Sequence, residues 1–229
     1  MGNFDNFIDI AREEGLLMAS ARTIGYLKGK ALLHRYGPGV DVMKEDWDNL
    51  VILDAYRYDY FKKYSRFDGS LERKFSRGSG SPEFIRQNFS DRQLHDTVYI
   101  TANPHARMLD KDVFYKIEFL LDSWDSEIGA VLPEDVTEAA ISAQEKYPNK
   151  RIIIHYMQPH DPHLGETAEM YQKRAQSSTE VEDTSDNLVQ WPETRFPELY
   201  RKGEISEEEL KQSYIETIEI VEESVERLL

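Results

Sequence analysis

The stretch Asp46-Trp47-Asp48-Asn49-Leu50-Val51-Ile52-Leu53-Asp54-Ala55-Tyr56-Arg57 decides how this chain folds. Leu50 to Leu53 form an unbroken apolar run between polar residues. A run without alternation reads as a strand buried on both faces, as in the middle of a parallel sheet. Asp54 follows where the strand should stop. In open α/β sheets the carboxyl ends of the strands frame the ligand crevice, so a carboxylate there is placed to bind a metal or orient a substrate. The same position also suits a cap for a helix beginning at Ala55, and this stretch does not separate the two roles.

Two more stretches repeat the pattern of a strand running into a polar loop. Thr97 to Thr101 leads into Ala102-Asn103-Pro104-His105, and Arg151 to Tyr156 leads into Met157-Gln158-Pro159-His160-Asp161-Pro162-His163. Between them, Val136 to Lys146 has a helical pattern ending at Tyr147-Pro148-Asn149. Strands alternating with helical stretches predict an α/β fold, a parallel sheet flanked by helices. The 229 residues carry no internal repeat and read as one domain with a sizeable core. Residues 1–40 read as an N-terminal helical segment docking on that core, closed by a turn at Gly37-Pro38-Gly39. Residues 165–203 read as a polar, peripheral insertion containing Ser177-Ser178-Thr179 and Trp191-Pro192. In the last segment, residues 206–229, Ser206 and Glu209 form a capping box. Leu210, Tyr214, Ile218, Val221, Val225 and Leu228 recur there at spacings of three and four, which predicts an amphipathic helix.

The net charge of -15 argues against a general nucleic-acid binder, because a phosphate backbone would be repelled. With no cysteine, disulfides and thiolate metal sites are excluded. No basic start leads into an apolar signal core and no run reaches membrane-spanning length, so a cytoplasmic protein without a transmembrane segment is expected.

Two loops carry chemistry. Small residues fill Ser76 to Ser81, and Pro82-Glu83 then opens a helix. Serine hydroxyls are thereby delivered to a helix N-terminus, where free N–H groups and the dipole favour a phosphate or sulfate. A serine so placed can attack one if a metal or base lowers its proton affinity, with Ser81 and Ser79 the candidates. An ordinary capped surface loop has the same composition. In the second loop His160, Asp161 and His163 fall within four residues, and three of the six histidines lie between 155 and 163. They can supply imidazole or carboxylate to a metal or an oxyanion, or form a rigid polar turn.

In order along the chain, Asp-Trp-Asp-Asn-Leu-Val-Ile-Leu-Asp-Ala-Tyr-Arg-Tyr-Asp, Arg-Gly-Ser-Gly-Ser-Pro-Glu-Phe, Val-Tyr-Ile-Thr-Ala-Asn-Pro and His-Tyr-Met-Gln-Pro-His-Asp-Pro resemble motifs of the sulfatase-like branch of the alkaline phosphatase superfamily, its archaeal members especially. The resemblance covers about Asp46 to Gly165. It implies phosphate- or sulfate-ester chemistry on an anionic substrate, glycan- or lipid-linked, with a divalent metal such as zinc, manganese or calcium. Asp54 then matches a metal-binding aspartate, with Asp161 and His163 as further ligands. Ser81 matches the nucleophile, with Ser79 as its neighbour, and His160 matches a histidine facing the substrate anion. Without cysteine the formylglycine of ordinary sulfatases cannot form, which favours phosphoesters.

Relatives carry a later strand ending in Asp-His-Gly, a tripeptide absent here; the resemblance places that strand after Leu229. Its absence predicts an incomplete metal site and little hydrolytic activity. It also predicts an open sheet edge, covered by the apolar face of the last helix or by a second copy in a homo-oligomer. The competing reading is a non-catalytic module that binds an anionic glycan, a lipid headgroup or a protein partner in the same crevice.

Overall fold

A computed structural model describes residues 37–176 and 196–229. The apolar run is strand β1 (Asn49–Asp54), followed by helix α1 (Tyr58–Tyr64), helix α2 (Ser81–Phe89) and strand β2 (Leu94–Thr101). Next come strand β3 (Phe114–Phe119), a short antiparallel pair β4 (Trp124–Asp125) and β5 (Ala130–Val131), helix α3 (Pro133–Lys146) and strand β6 (Arg151–Pro159). Helices α4 (Glu166–Gln176), α5 (Phe196–Lys202) and α6 (Glu207–Glu226) follow. The expected parallel sheet is present: four strands in the order β1-β6-β2-β3, each parallel to its neighbour.

Strand β6 is inserted between β1 and β2, so the carboxyl ends of these three border one crevice. His155 of β6 is in register with Ile52 on one side and Thr101 on the other. Side chains alternate across the pleat. Val98, Ile100, Ile152, Ile154 and Tyr156 pack with Val136 and Ala140 of α3 and Val221 and Val225 of α6. Tyr99 and Ile153 pack on the other face with Ile85 and Phe89 of α2 and Phe114 of β3. Because helices cover both faces, β6 is apolar from Ile152 to Ile154 and buried through Pro159.

Strand β1 departs from its sequence reading. It lies at the end of the sheet, its residues are half-buried, and it has one strand neighbour among the described residues. Leu50 and Ile52 contact the α2-side core while Val51 and Leu53 contact the α3-side core. An apolar run thus reports that both faces are covered and says nothing of how many edges are paired. No helix begins at Ala55 either. Ala55 has a left-handed φ of 62°, and α1 starts three residues later with Arg57 as its cap. Strand β3 was not anticipated, since polar Lys116 and Glu118 interrupt its apolar residues.

The last helix starts with the capping box read from its sequence: Ser206 Oγ accepts from Glu209 N–H, and the Glu209 carboxylate accepts from Ser206 N–H. Its inner face also carries a fully buried carboxylate, Glu222, which accepts from Tyr56 Oη–H at 2.8 Å and from Arg66 N–H at 3.0 Å. Tyr214, one helical face along, donates its hydroxyl to Ala55 O at 2.7 Å and accepts from Arg57 N–H at 3.1 Å. Through these bonds α6 fixes the turn that leaves β1. The two described ends of the polar insertion are helical; Ala168, Tyr171, Phe196 and Leu199 pack with Ile205 and Leu210. Ser177-Ser178-Thr179, Trp191-Pro192 and the N-terminal segment 1–36 lie outside the described residues. Among the described residues no helix is long and apolar enough to cross a membrane.

Candidate active site

Asp54 ends β1 on the crevice rim, with its side chain 16% exposed. Ser81 is the first residue of α2, after the cap residue Gly80, and Pro82 next to it has no N–H to leave unpaired. The loop reaches this point by passing close over the helix start. A Cβ on Gly78 would stand 2.3 Å from Phe84 N, so only glycine fits there. Glu83 folds back to accept from the backbone N–H and the hydroxyl of Ser79, both at 2.9 Å, which holds its carboxyl below the usual range. That leaves the two candidate serines in different situations. Ser79 faces a surface glutamate, whereas Ser81 Oγ donates to Asp54 Oδ2 at 2.5 Å.

Two hydrogen bonds, from Ser81 and Asn103, hold the Asp54 carboxylate. Asn103, buried just beyond β2, donates Nδ2–H to Asp54 Oδ2 at 2.9 Å while its own Oδ1 accepts from His105 N–H. His155 Nε2 stands 3.8 Å from the same oxygen, and its Nδ1 is 2.7 Å from the Tyr99 hydroxyl. The Tyr99–His155 pair thus stands behind the Asp54–Ser81 pair, with a 3.8 Å gap between them. Burial pushes the His155 imidazole down to about 4, against the pull of Asp54, so it is neutral near pH 7. Tyr99, Asn103 and His155 stand within the sequence motifs, which by themselves assign them no role. Their shared signal was polar or ring side chains inside or just past apolar strands, which must find partners when buried.

The histidine loop divides differently. Pro159 is in register with Asp54, so His160 follows on the same rim, with its Nδ1 2.5 Å from the Asp161 carbonyl. Asp161 and His163 point away toward the late helices. Asp161 Oδ1 accepts from Phe196 N–H at 3.1 Å, and His163 Nδ1 lies 2.7 Å from Ser213 Oγ with its ring 5.0 Å from that of Phe196. Burial pushes the His163 imidazole down as well. These two residues seat α5 and α6, and the structure does not bring them to Asp54.

For a divalent ion, the neighbouring donors are the Asp54 carboxylate, which Ser81 meets, and the His155 imidazole 3.8 Å from it. Among the described residues no group of three His, Asp or Glu side chains is close enough to hold a metal. Asn103 offers Asp54 its NH2 end, which suits an anion and not a cation. A resident ion held by protein ligands alone does not fit. One carboxylate and one imidazole do match the smaller share a protein contributes when substrate oxygens and water complete the shell. The segment joining β1 to Ser81, from Ala55 to Gly80, holds seven basic and three acidic residues, with Arg57, Lys74 and Arg77 ion-paired to Asp59, Glu45 and Asp41.

A pH test follows from the two buried imidazoles. The unfolded chain binds protons below about 6.5 that these native histidines do not accept until lower pH. Stability should be full above about 6.5 and fall as the pH drops toward about 4. Urea midpoints near pH 7.5 and near pH 5 should differ, and His155→Gln should narrow the difference. Midpoints that match at both pH values would refute the assignment of neutral, buried imidazoles.

No protein-family model, no curated protein and no solved structure matches the chain.

Proposed function

We propose that this chain acts on phosphoesters or sulfoesters as a hydrolase or transferase, with Ser81 as nucleophile. The observation that carries the reading is the 2.5 Å hydrogen bond from Ser81 Oγ to Asp54 Oδ2 at the N-terminus of α2. The resemblance of the ordered motifs to those of the sulfatase-like branch of the alkaline phosphatase superfamily points to the same chemistry.

Asp54 orients the Ser81 hydroxyl and accepts its proton as Oγ attacks phosphorus. The Oγ–P bond forms as the bond to the leaving oxygen breaks opposite it, and that oxygen takes a proton from water in the crevice, leaving hydroxide. That hydroxide, or a second alcohol whose proton it takes, then displaces Oγ from the seryl phosphoester, and Asp54 returns the proton to Ser81. Non-bridging oxygens lie toward the N-terminus of α2, where the helix dipole stabilises negative charge. Asn103 and His155 keep the Asp54 carboxylate in place through the cycle. A divalent ion, zinc, manganese or calcium, completed by the ester's own oxygens, would supply charge neutralisation beside Asp54 and His155.

The test offers the full chain aryl phosphate, phosphodiester and sulfate esters with each of these ions. It follows phenol release and, by mass spectrometry, a covalent adduct on Ser81. Because one enzyme equivalent of adduct is detectable, slow turnover does not hide it. The expected result is a Ser81 adduct from a phosphate ester. Absence of both adduct and release with every ester and ion would overturn the proposal.

A further inference from the structure

The corner that carries the Asp54 carboxylate is irregular on both sides. Along β1 and β6 the partners advance in step as far as Leu53 opposite Tyr156; the same register would set Asp54 opposite Met157, yet Asp54 lies opposite Pro159. A break of this kind bends a strand and re-aims the side chain beside it. The next residue, Ala55, has a left-handed φ of 62°, which brings an L side chain against the following carbonyl and which glycine adopts freely. Among the described residues the other non-glycine with positive φ is Asp91, a type whose short polar side chain helps it adopt that region. Alanine has no such means, so the contacts that hold Ala55 come from outside it. They come from α6. The Tyr214 hydroxyl donates to Ala55 O at 2.7 Å and accepts from Arg57 N–H at 3.1 Å, so one oxygen pins the peptide planes on either side of Tyr56. The Tyr56 side chain is anchored separately, by its hydroxyl donating to Glu222 at 2.8 Å, a bond that touches neither plane. The Tyr214 ring is itself seated, edge to face with Tyr60 at 5.0 Å and 5.7 Å from His163.

We propose that Tyr214 is a positioning residue for the ester transfer: its hydroxyl holds Ala55 left-handed and thereby keeps the Asp54 carboxylate on Ser81 Oγ. The inference rests on the serine reading for its catalytic meaning, while the geometric part does not depend on it. Without the hydroxyl, Ala55 relaxes toward negative φ, and Asp54, one peptide unit away, turns off the Ser81 hydroxyl. Tyr214 touches none of the reacting groups, so its loss slows the chemical step and leaves ester binding as it was. Ala55→Gly removes the cost of the left-handed conformation and with it the need for a clamp. Rescue by that substitution separates a backbone clamp from ordinary packing of the Tyr214 ring.

The experiment compares the full chain with Tyr214→Phe, which keeps the ring and removes the hydroxyl, with Ala55→Gly, and with the two combined. In aspartate-labelled protein the side-chain carboxyl carbon of Asp54, assigned by its loss in Asp54→Asn, is read by NMR. Ser81→Ala marks the shift that loss of the Ser81 bond produces. Adduct formation on Ser81 from an aryl phosphate is timed in parallel. Tyr214→Phe should move the Asp54 resonance toward its Ser81→Ala position and slow the adduct by about tenfold or more, in kcat and not in KM. Adding Ala55→Gly to it should return the resonance toward the parent position and the rate to within about threefold of the parent. The proposal is overturned if Tyr214→Phe leaves the resonance, or in an adduct-forming chain the rate, at the parent value, or if adding Ala55→Gly restores neither. A parent chain that forms no adduct overturns the serine reading alone, and the resonance then decides the clamp.

Discussion

Ser81→Ala is expected to eliminate the covalent adduct and to lower ester turnover by roughly a thousandfold or more, the scale on which removing a nucleophile acts. Ser79→Ala should weaken turnover by less than about tenfold, because it removes a hydrogen bond to the surface residue Glu83 and leaves the reacting oxygen in place. The ranking follows from what each hydroxyl faces. Ser81 Oγ lies on a half-buried carboxylate held by Asn103 and backed by His155, so its proton has an acceptor in position before substrate arrives. Measured initial rates and adduct yields for the two variants decide the matter. A larger loss in Ser79→Ala would move the nucleophile two residues back and make the Ser81–Asp54 bond a structural cap.

Phe89→Ala should have the largest effect on stability, about 3–5 kcal/mol. Phe89 ends α2, is fully buried, and lies 5.3 Å from the Tyr99 ring and 5.4 Å from the Phe114 ring, with Phe84 at 6.0 Å. Removing it leaves a cavity among α2, β2 and β3 that backbone relaxation closes only in part. The effect should also reach the site, since Tyr99 supports His155 through its hydroxyl and α2 carries Ser81 at its other end. Urea unfolding gives the first quantity. A loss under about 1 kcal/mol would mean that α2 is not packed on the sheet as described.

Much of this arrangement was legible in the chain because local rules govern it. Leu50 to Leu53, Thr97 to Thr101 and Arg151 to Tyr156 announce strands by apolar content. Pro82 and Glu83 announce a helix start, and Ser206 with Glu209 announces another. Asp54 and Ser81 were singled out because each ends a strand or begins a helix, and their backbone positions follow from that. Their contact across 27 residues is a tertiary fact. The remainder required knowing which strands become neighbours. His155 reaches Asp54 only because β6 lies next to β1, and it meets Tyr99 only because β2 lies on its other side. Nothing in either strand's own sequence specifies that. Asp161 and His163 carry residue types suited to metal ligation, but their partners, Phe196 and Ser213, arrive 35 and 50 residues later. Spacing within a loop cannot reveal a partner of that kind.

The bonds from α6 to the turn after Asp54 bear on the order in which the chain assembles during synthesis. Tyr56 meets Glu222 across 166 residues, and Ala55 meets Tyr214 across 159. Strand β1 leaves the ribosome before α6, so the turn that follows it is not clamped until α6 has been made. Contacts so far apart in sequence are entropically expensive to close and belong to the late part of folding. A nascent chain can therefore assemble its sheet while the turn after Asp54 is still unclamped. On the serine reading proposed above, the acceptor for the Ser81 proton is then fully held only once α6 has docked.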